Sequence, residues 1–377
     1  MPRSSQPLPP VPAARGGRRP ALERRRLLAG LGVAFGASAL GACAPDALRV
    51  APGNPGPAGE PGASRKSPDE APPVPGRLLY AGNADLWRWE KGLARRLTGD
   101  RVSRQPAWSP DGRWIAHVKI DVSSSDLWLM DDESANAHQL TANYSTERAK
   151  NNWAYRPVWW PDGSRLLYLT DETTYDLMLW QVGADGKGRR PLLTVPDREG
   201  GIDGPSLSPD ARRLAVVTFR ATGTRAQVWT FTLPNGPWQQ LTDSPDGAYD
   251  PAWSPDGTRL AYVVRHGGRH DLWLMGADGA NQTPLTASGA ARAPCWSPDG
   301  KWLAFLCGEG GAFDVWALPV PGPAGAPPDP PGGAAPRADL APPAGAGPGA
   351  EPPNLPQARP LTRGAGVDPV SGLSWTA

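Results

Sequence analysis

Few residues in this 377-residue chain are of the types that carry metal or nucleophilic chemistry. There are four histidines, and only His266 and His270 stand close together, in Arg265–Asp271 (RHGGRHD). Two imidazoles and a carboxylate make a common divalent-metal set, able to activate water or polarise a carbonyl. Asp271, Asp250 and Glu309 are candidates for the third ligand. A spacing of four in a Gly-containing loop does not put both rings on one face, however, so exposed loop histidines are the plainer reading. G-x-S-x-G, H-E-x-x-H, Walker and EF-hand patterns do not occur, so no cofactor and no attached serine peptidase are expected. After Cys43 only Cys295 and Cys307 remain. Hairpin register places them roughly 10 Å or more apart at about 3.3 Å per residue. A disulfide needs Cα atoms closer than that, so two buried thiols are expected.

Lys and Arg number 39 against 37 Asp and Glu, a net charge of +2. With no basic stripe interleaved with aromatics, nucleic acid is not an expected partner.

The elements that must position any site repeat along the chain. Pro-x-Trp-Ser-Pro-Asp-Gly stands at Pro106–Gly112, Pro251–Gly257 and Pro294–Gly300, with variants at Pro157–Gly163 (PVWWPDG) and Pro205–Ala211 (PSLSPDA). An alternating apolar run follows each copy, then a loop usually ending in Asp, then a run such as Asp126–Met130 (DLWLM), then Leu-Thr. The period of ~43–51 residues suits one four-stranded propeller blade. Pro sets φ for the turn, Asp bonds back to the backbone and Gly supplies φ > 0. The repeated aspartates therefore read as turn formers.

The unit PxWSPDG…IA…DLWLM…LT resembles the TolB-type propeller repeat, from about Arg77 to Ala377. The resemblance implies an all-β, six-bladed β-propeller. Residues 77–98 lack a PxWSPDG strand, and Asp368–Thr376 looks like the opening of a unit. The two ends are thus expected to pair in one blade, leaving no free edge. Similarity to TolB implies envelope interactions with other proteins. The separate N-terminal domain of TolB-like proteins has no counterpart in residues 44–76. Propellers also host enzymes, so a metal-dependent lyase or hydrolase site at the central funnel is the alternative to a non-catalytic binding module for a protein, peptide or glycan.

In a propeller the Ser-Pro-Asp-Gly turns share one face. The second-to-third loops and blade connections share the other, where loops on a rigid scaffold usually bind. There Asn151, Asn152, Trp153, Tyr155, Arg156, Tyr175, Tyr249, Arg265, His266, Arg269 and His270 are the candidates. Trp and Tyr offer stacking area and Arg offers paired donors.

Outside the repeats, residues 1–43 read as an export signal: a basic region precedes a short apolar stretch, and Arg24-Arg25-x-Leu27-Leu28 resembles a twin-arginine signal, with the general secretory route as the alternative because Glu23 stands where Ser or Thr is usual. Leu40–Cys43 (LGAC) resembles a lipobox with Cys43 as the lipidated residue. Residues 44–76 are a Pro/Gly-rich tether. The propeller, residues 77–377, carries a Pro/Ala/Gly insertion at about 319–358 that cannot build a core. The expected protein is an exported, extracytoplasmic, lipid-anchored monomer.

Overall fold

The computed structural model describes residues 74–173, 176–193, 201–219, 225–309, 312–322 and 358–377. Cys43, the signal, most of the tether, Tyr175 and residues 323–357 of the insertion lie outside them.

The described residues form six four-stranded antiparallel sheets. Blade 1 joins Leu373–Thr376 to Arg77–Gly82, Asp85–Glu90 and Leu93–Arg96. Blades 2 to 6 open with the inner strands Ser103–Trp108, Ala154–Trp159, Ile202–Leu207, Ala248–Trp253 and Arg292–Trp296. Each then runs outward through three more strands. In blade 1 Leu78 faces Trp375 and Tyr80 faces Leu373, so residues nearly 300 positions apart close the ring. The Trp375 Nε1–H donates to Pro75 O at 2.8 Å.

The turn chemistry is as its residue types require. Asp111 Oδ1 accepts from Ser109 Oγ at 2.6 Å and from Arg113 N at 3.1 Å. Asp210, Asp256 and Asp299 accept the same pair. Gly112, Gly163, Gly257 and Gly300 all have positive φ. The repeated Trp packs between blades: Trp159 Nε1–H donates to Ala107 O and Trp296 Nε1–H to Ala252 O, both in the preceding blade. Second strands are buried almost throughout, with Tyr168, Tyr262 and Phe305 fully enclosed. This is what inner positions of stacked sheets demand.

The Asp of DLW and the Thr of Leu-Thr form a further device, joining residues 15 apart in blades 2 and 5 and 48 apart in blade 6, where the insertion intervenes. Thr286 Oγ1 accepts from Leu272 N and donates to Asp271 Oδ1, both at 2.9 Å, and Asp271 Oδ1 also accepts from Gly289 N. Asp126 with Thr141 and Asp314 with Thr362 repeat it. In blade 4, Gln227 replaces the Asp and its Oε1 accepts from Thr242. The bond closes the outer strand onto the third and satisfies a buried N–H.

Candidate functional site

The inner strands of blades 2 to 6 carry the same irregularity. The register of inner to second strand slips between Arg104 and Ala107, Tyr155 and Val158, Asp203 and Ser206, Tyr249 and Ala252, and Arg292 and Cys295. The residue before the repeat proline takes positive φ in all five: Gln105, Arg156, Gly204, Asp250 and Ala293 at 49–55°. Gly372 does so in the closing strand. Pre-proline residues normally avoid this region, so four non-glycine residues there are held against their preference. A bulge re-aims side chains, and here five bulges are arranged around the propeller axis.

The ring is charged. Arg156 Nε lies 3.4 Å from Asp203 Oδ1 across a blade boundary. Arg104 Nε lies 3.1 Å from Asp368 Oδ2. Arg156 N–H donates to Gln105 Oε1, and Ala293 N–H to Asp250 Oδ2. Burial alone would lower the Arg156 pKa, but the carboxylates of Asp203, Asp250 and Asp368 hold it above its ordinary value. These three come from blades 4, 5 and 1, so the groups converge on the axis. Burial raises the Asp250 carboxyl, with Arg156 opposing and Asp203 reinforcing the rise. Three arginines (104, 156, 292) and three aspartates (203, 250, 368) thus gather where water is restricted, and unmatched charge there is costly.

The sequence candidates fall into three groups. Arg156 sits in the ring. Trp153 and Tyr155 stack beside it with centroids 5.9 Å apart and planes 3° apart. Burial, then Asp171, drives the Tyr155 phenol pKa upward. Tyr249, next to Asp250, is half-buried against the blade 5–6 core. Asn151 and Asn152 instead hold their own loop. Asn151 is buried; its Oδ1 accepts from Ser145 N and its Nδ2 donates to Ser123 Oγ. Asn152 N–H donates to Asn143 O.

The third group is the Arg259–His266 and Arg269–Gly276 hairpin. Arg265 pairs with His270 and His266 with Arg269. Neighbouring strand positions point to opposite faces, so the two imidazoles leave opposite sides of the ribbon. His270 lies 3.3 Å from Arg292 Nη2, and burial with Arg292 and Arg265 lowers its pKa to about 4. Asp271 is committed to Thr286 and Gly289, as above. Among the described residues no three His, Cys, Asp or Glu side chains are grouped to hold a metal.

Cys295 and Cys307 do not form a disulfide with each other. They are partly rather than fully buried, a correction to the sequence expectation: Cys295 packs at the margin of the blade 6–1 core and Cys307 at that of the blade 5–6 core. Burial raises the Cys295 thiol to about 12.

Sequence reasoning missed Arg104, Gln105, Asp203, Arg292 and Asp368. Position was the available signal, since each stands within two residues of a repeat opening or its worn equivalent.

The fold is a six-bladed β-propeller, and its repeat is similar to that of TolB-type propellers. Residues 173–325 match the TolB beta propeller domain. The Tol-Pal system protein TolB of Anaeromyxobacter dehalogenans is 31% identical over 116 residues, covering 28% of this chain and 26% of that protein. An uncharacterized protein of Agrobacterium fabrum is 27% identical over 181 residues, covering 46% of this chain and 58% of its own. The crystal structure of TolB from Acinetobacter baumannii superposes with a TM-score of 0.55 at 19% identity, over 65% of this chain and 61% of that one. The chain therefore spans 26–61% of the length of these relatives, and the last likeness is one of fold.

Proposed function

We propose that the propeller is a non-catalytic binding module, anchored through lipid on Cys43 and displayed in the cell envelope. Its ligand is a protein, peptide or glycan taken at the axial ring. The observation that carries this is the set of inner-strand bulges that hold Arg156, Asp250 and their charged neighbours at the axis against backbone preference. Such a rigid arrangement of opposed charges suits recognition by matched polar groups, with the Trp153–Tyr155 stack as an adjacent contact surface. The metal-enzyme alternative has less support, since His266 and His270 diverge.

Capture from envelope extracts by the full chain tests the reading against Arg156→Ala and Arg292→Ala. Ligand capture should be lost in both while each variant, though Arg156→Ala is destabilised by the aspartates it leaves unmatched, still melts cooperatively above the assay temperature. Retention of the same ligand by both variants rejects the ring as the site. Cys43→Ser should release the protein from the membrane fraction; continued detergent partitioning rejects the anchor.

A further inference from the structure

Of the six clefts between blades on the turn face, five have a repeat Trp in the following blade, and blade 4 has Leu207 in its place. The first residue of the second strand in one blade reaches over the repeat Trp of the next. In three clefts it is arginine. Arg77 stands 4.8 Å from the Trp108 ring centroid, Arg213 4.5 Å from Trp253 and Arg259 5.1 Å from Trp296. Each guanidinium also donates to the next blade. Arg77 Nη2 donates to Gly112 O at 3.1 Å and Nη1 to Asp132 Oδ2 at 2.9 Å. Arg213 donates to Gly257 O and Ala277 O, and Arg259 to Pro321 O. A guanidinium stacked on an indole and hydrogen-bonded at its edge is a favourable, partly desolvated arrangement.

Between blades 2 and 3 the equivalent residue is Trp114. Between blades 6 and 1 it is Trp302, but there Arg359 of the outer strand covers it at 4.8 Å. The outer-strand residue matching Arg359 in blade 2 is His138, which meets Trp114 edge-on at 6.1 Å. Both positions that elsewhere supply a guanidinium therefore lack one here, and the cleft is a cavity of ≈ 630 Å³. Its floor includes Trp114, Leu129 and Trp159, and Asp111, Asp162 and Asp185 line it. Gly163 and Ala184, the counterparts of Gly257 and Ala277, line it too. Asp111 and Asp162 are held below the ordinary carboxylate range by their turn hydrogen bonds, chiefly from Ser109 and Ser164. The cleft therefore presents negative charge around an aromatic floor.

We infer that this cleft binds an arginine side chain of a partner peptide, seated over Trp159 as Arg213 sits over Trp253. The inference is independent of the axial ring. Three of the molecule's own clefts display the ligand's chemistry, and the carboxylates supply charge complementarity that a neutral or acidic peptide would not meet.

The test titrates the full chain with the blocked peptide acetyl-Ala-Arg-Ala-amide, and with the same peptide carrying citrulline, by calorimetry. The arginine peptide should bind saturably and the neutral isostere at least tenfold more weakly. Trp114→Arg supplies the missing guanidinium from within, so it should abolish binding without lowering the melting temperature. Asp185→Asn keeps the Oδ1 acceptor used by Lys187 N and should weaken binding several-fold, which decides the matter should Trp114→Arg fail to fold. Arg156→Ala should leave the titration unchanged. Absence of saturable binding, equal binding of the citrulline peptide, or unaltered binding in both cleft variants overturns the inference.

Discussion

At the scale of single residues, His117 is a titratable group shut away from water. It is 1% accessible, and neither ring nitrogen has a hydrogen-bond partner. Burial, then Lys119, lowers its pKa from 6.5 to about 4. The folded state therefore favours the neutral ring. This contribution is intact above pH 6.5 and is lost as pH falls from there toward 4, amounting to on the order of 2 kcal/mol at pH 5. Phe305 and Tyr262 occupy the same place in other blades and are fully buried. His117→Phe should therefore narrow the fall in melting temperature between pH 8 and pH 5. His270, depressed for similar reasons, should leave a residual slope. An unchanged slope in the variant would show that His117 is not the acid-labile group. The sequence displayed this histidine in an apolar run but not its lack of partners, which depends on what the adjoining sheets place around it.

Elements were legible to the extent that their chemistry is local. Pro, Asp and Gly make the turn within four residues, so each hairpin could be read directly. The Asp and Thr of DLW and Leu-Thr were also visible as repeated types, yet their union was not, because the partners meet only when the outer strand folds onto the third. Thr286→Val keeps the shape and removes the hydroxyl. It leaves the buried Leu272 N–H unpaired and takes a donor from Asp271, whose carboxyl burial already pushes upward. The expected loss is about 1–3 kcal/mol, seen as a lower denaturant midpoint at constant m-value. A midpoint equal to that of the unaltered chain would mean the clamp is ornamental. The open cleft, too, had a sequence trace: units reading PDARR and PDGTR supply an arginine where others read PDGRW and PDGKW. Its meaning needed the next blade's Trp beside it.

For the whole molecule, closure is the property that sequence foretold best and the axial site the one it foretold least. The shared blade follows from a unit lacking its first strand and a terminal segment resembling one. Arg156, Asp203, Asp250 and Asp368 lie tens of residues apart and become neighbours only because the ring closes. Truncation after Gly366 removes the strand Leu373–Thr376 and Trp375, whose indole donates to Pro75 O. It also removes Asp368, the partner of Arg104, and Ser374, whose Oγ accepts from Trp108 N. Loss of a buried large aromatic alone costs about 3–5 kcal/mol, against roughly 5–15 kcal/mol of total domain stability. The truncated chain should aggregate or become sensitive to protease at ambient temperature. A cooperative melt at the full-length temperature would contradict the shared blade.

The pairing of Arg77 with Thr376 also puts a clock on assembly. At about 5–20 residues per second, a ribosome needs roughly 15–60 s to travel from one partner to the other. Throughout that interval the strand Arg77–Gly82 has its inner neighbour still unmade, and its row of backbone donors is open to any other extended chain. The nascent propeller therefore spends most of its synthesis as an incomplete ring. Its yield should depend on how well that first edge is shielded until the last few residues emerge.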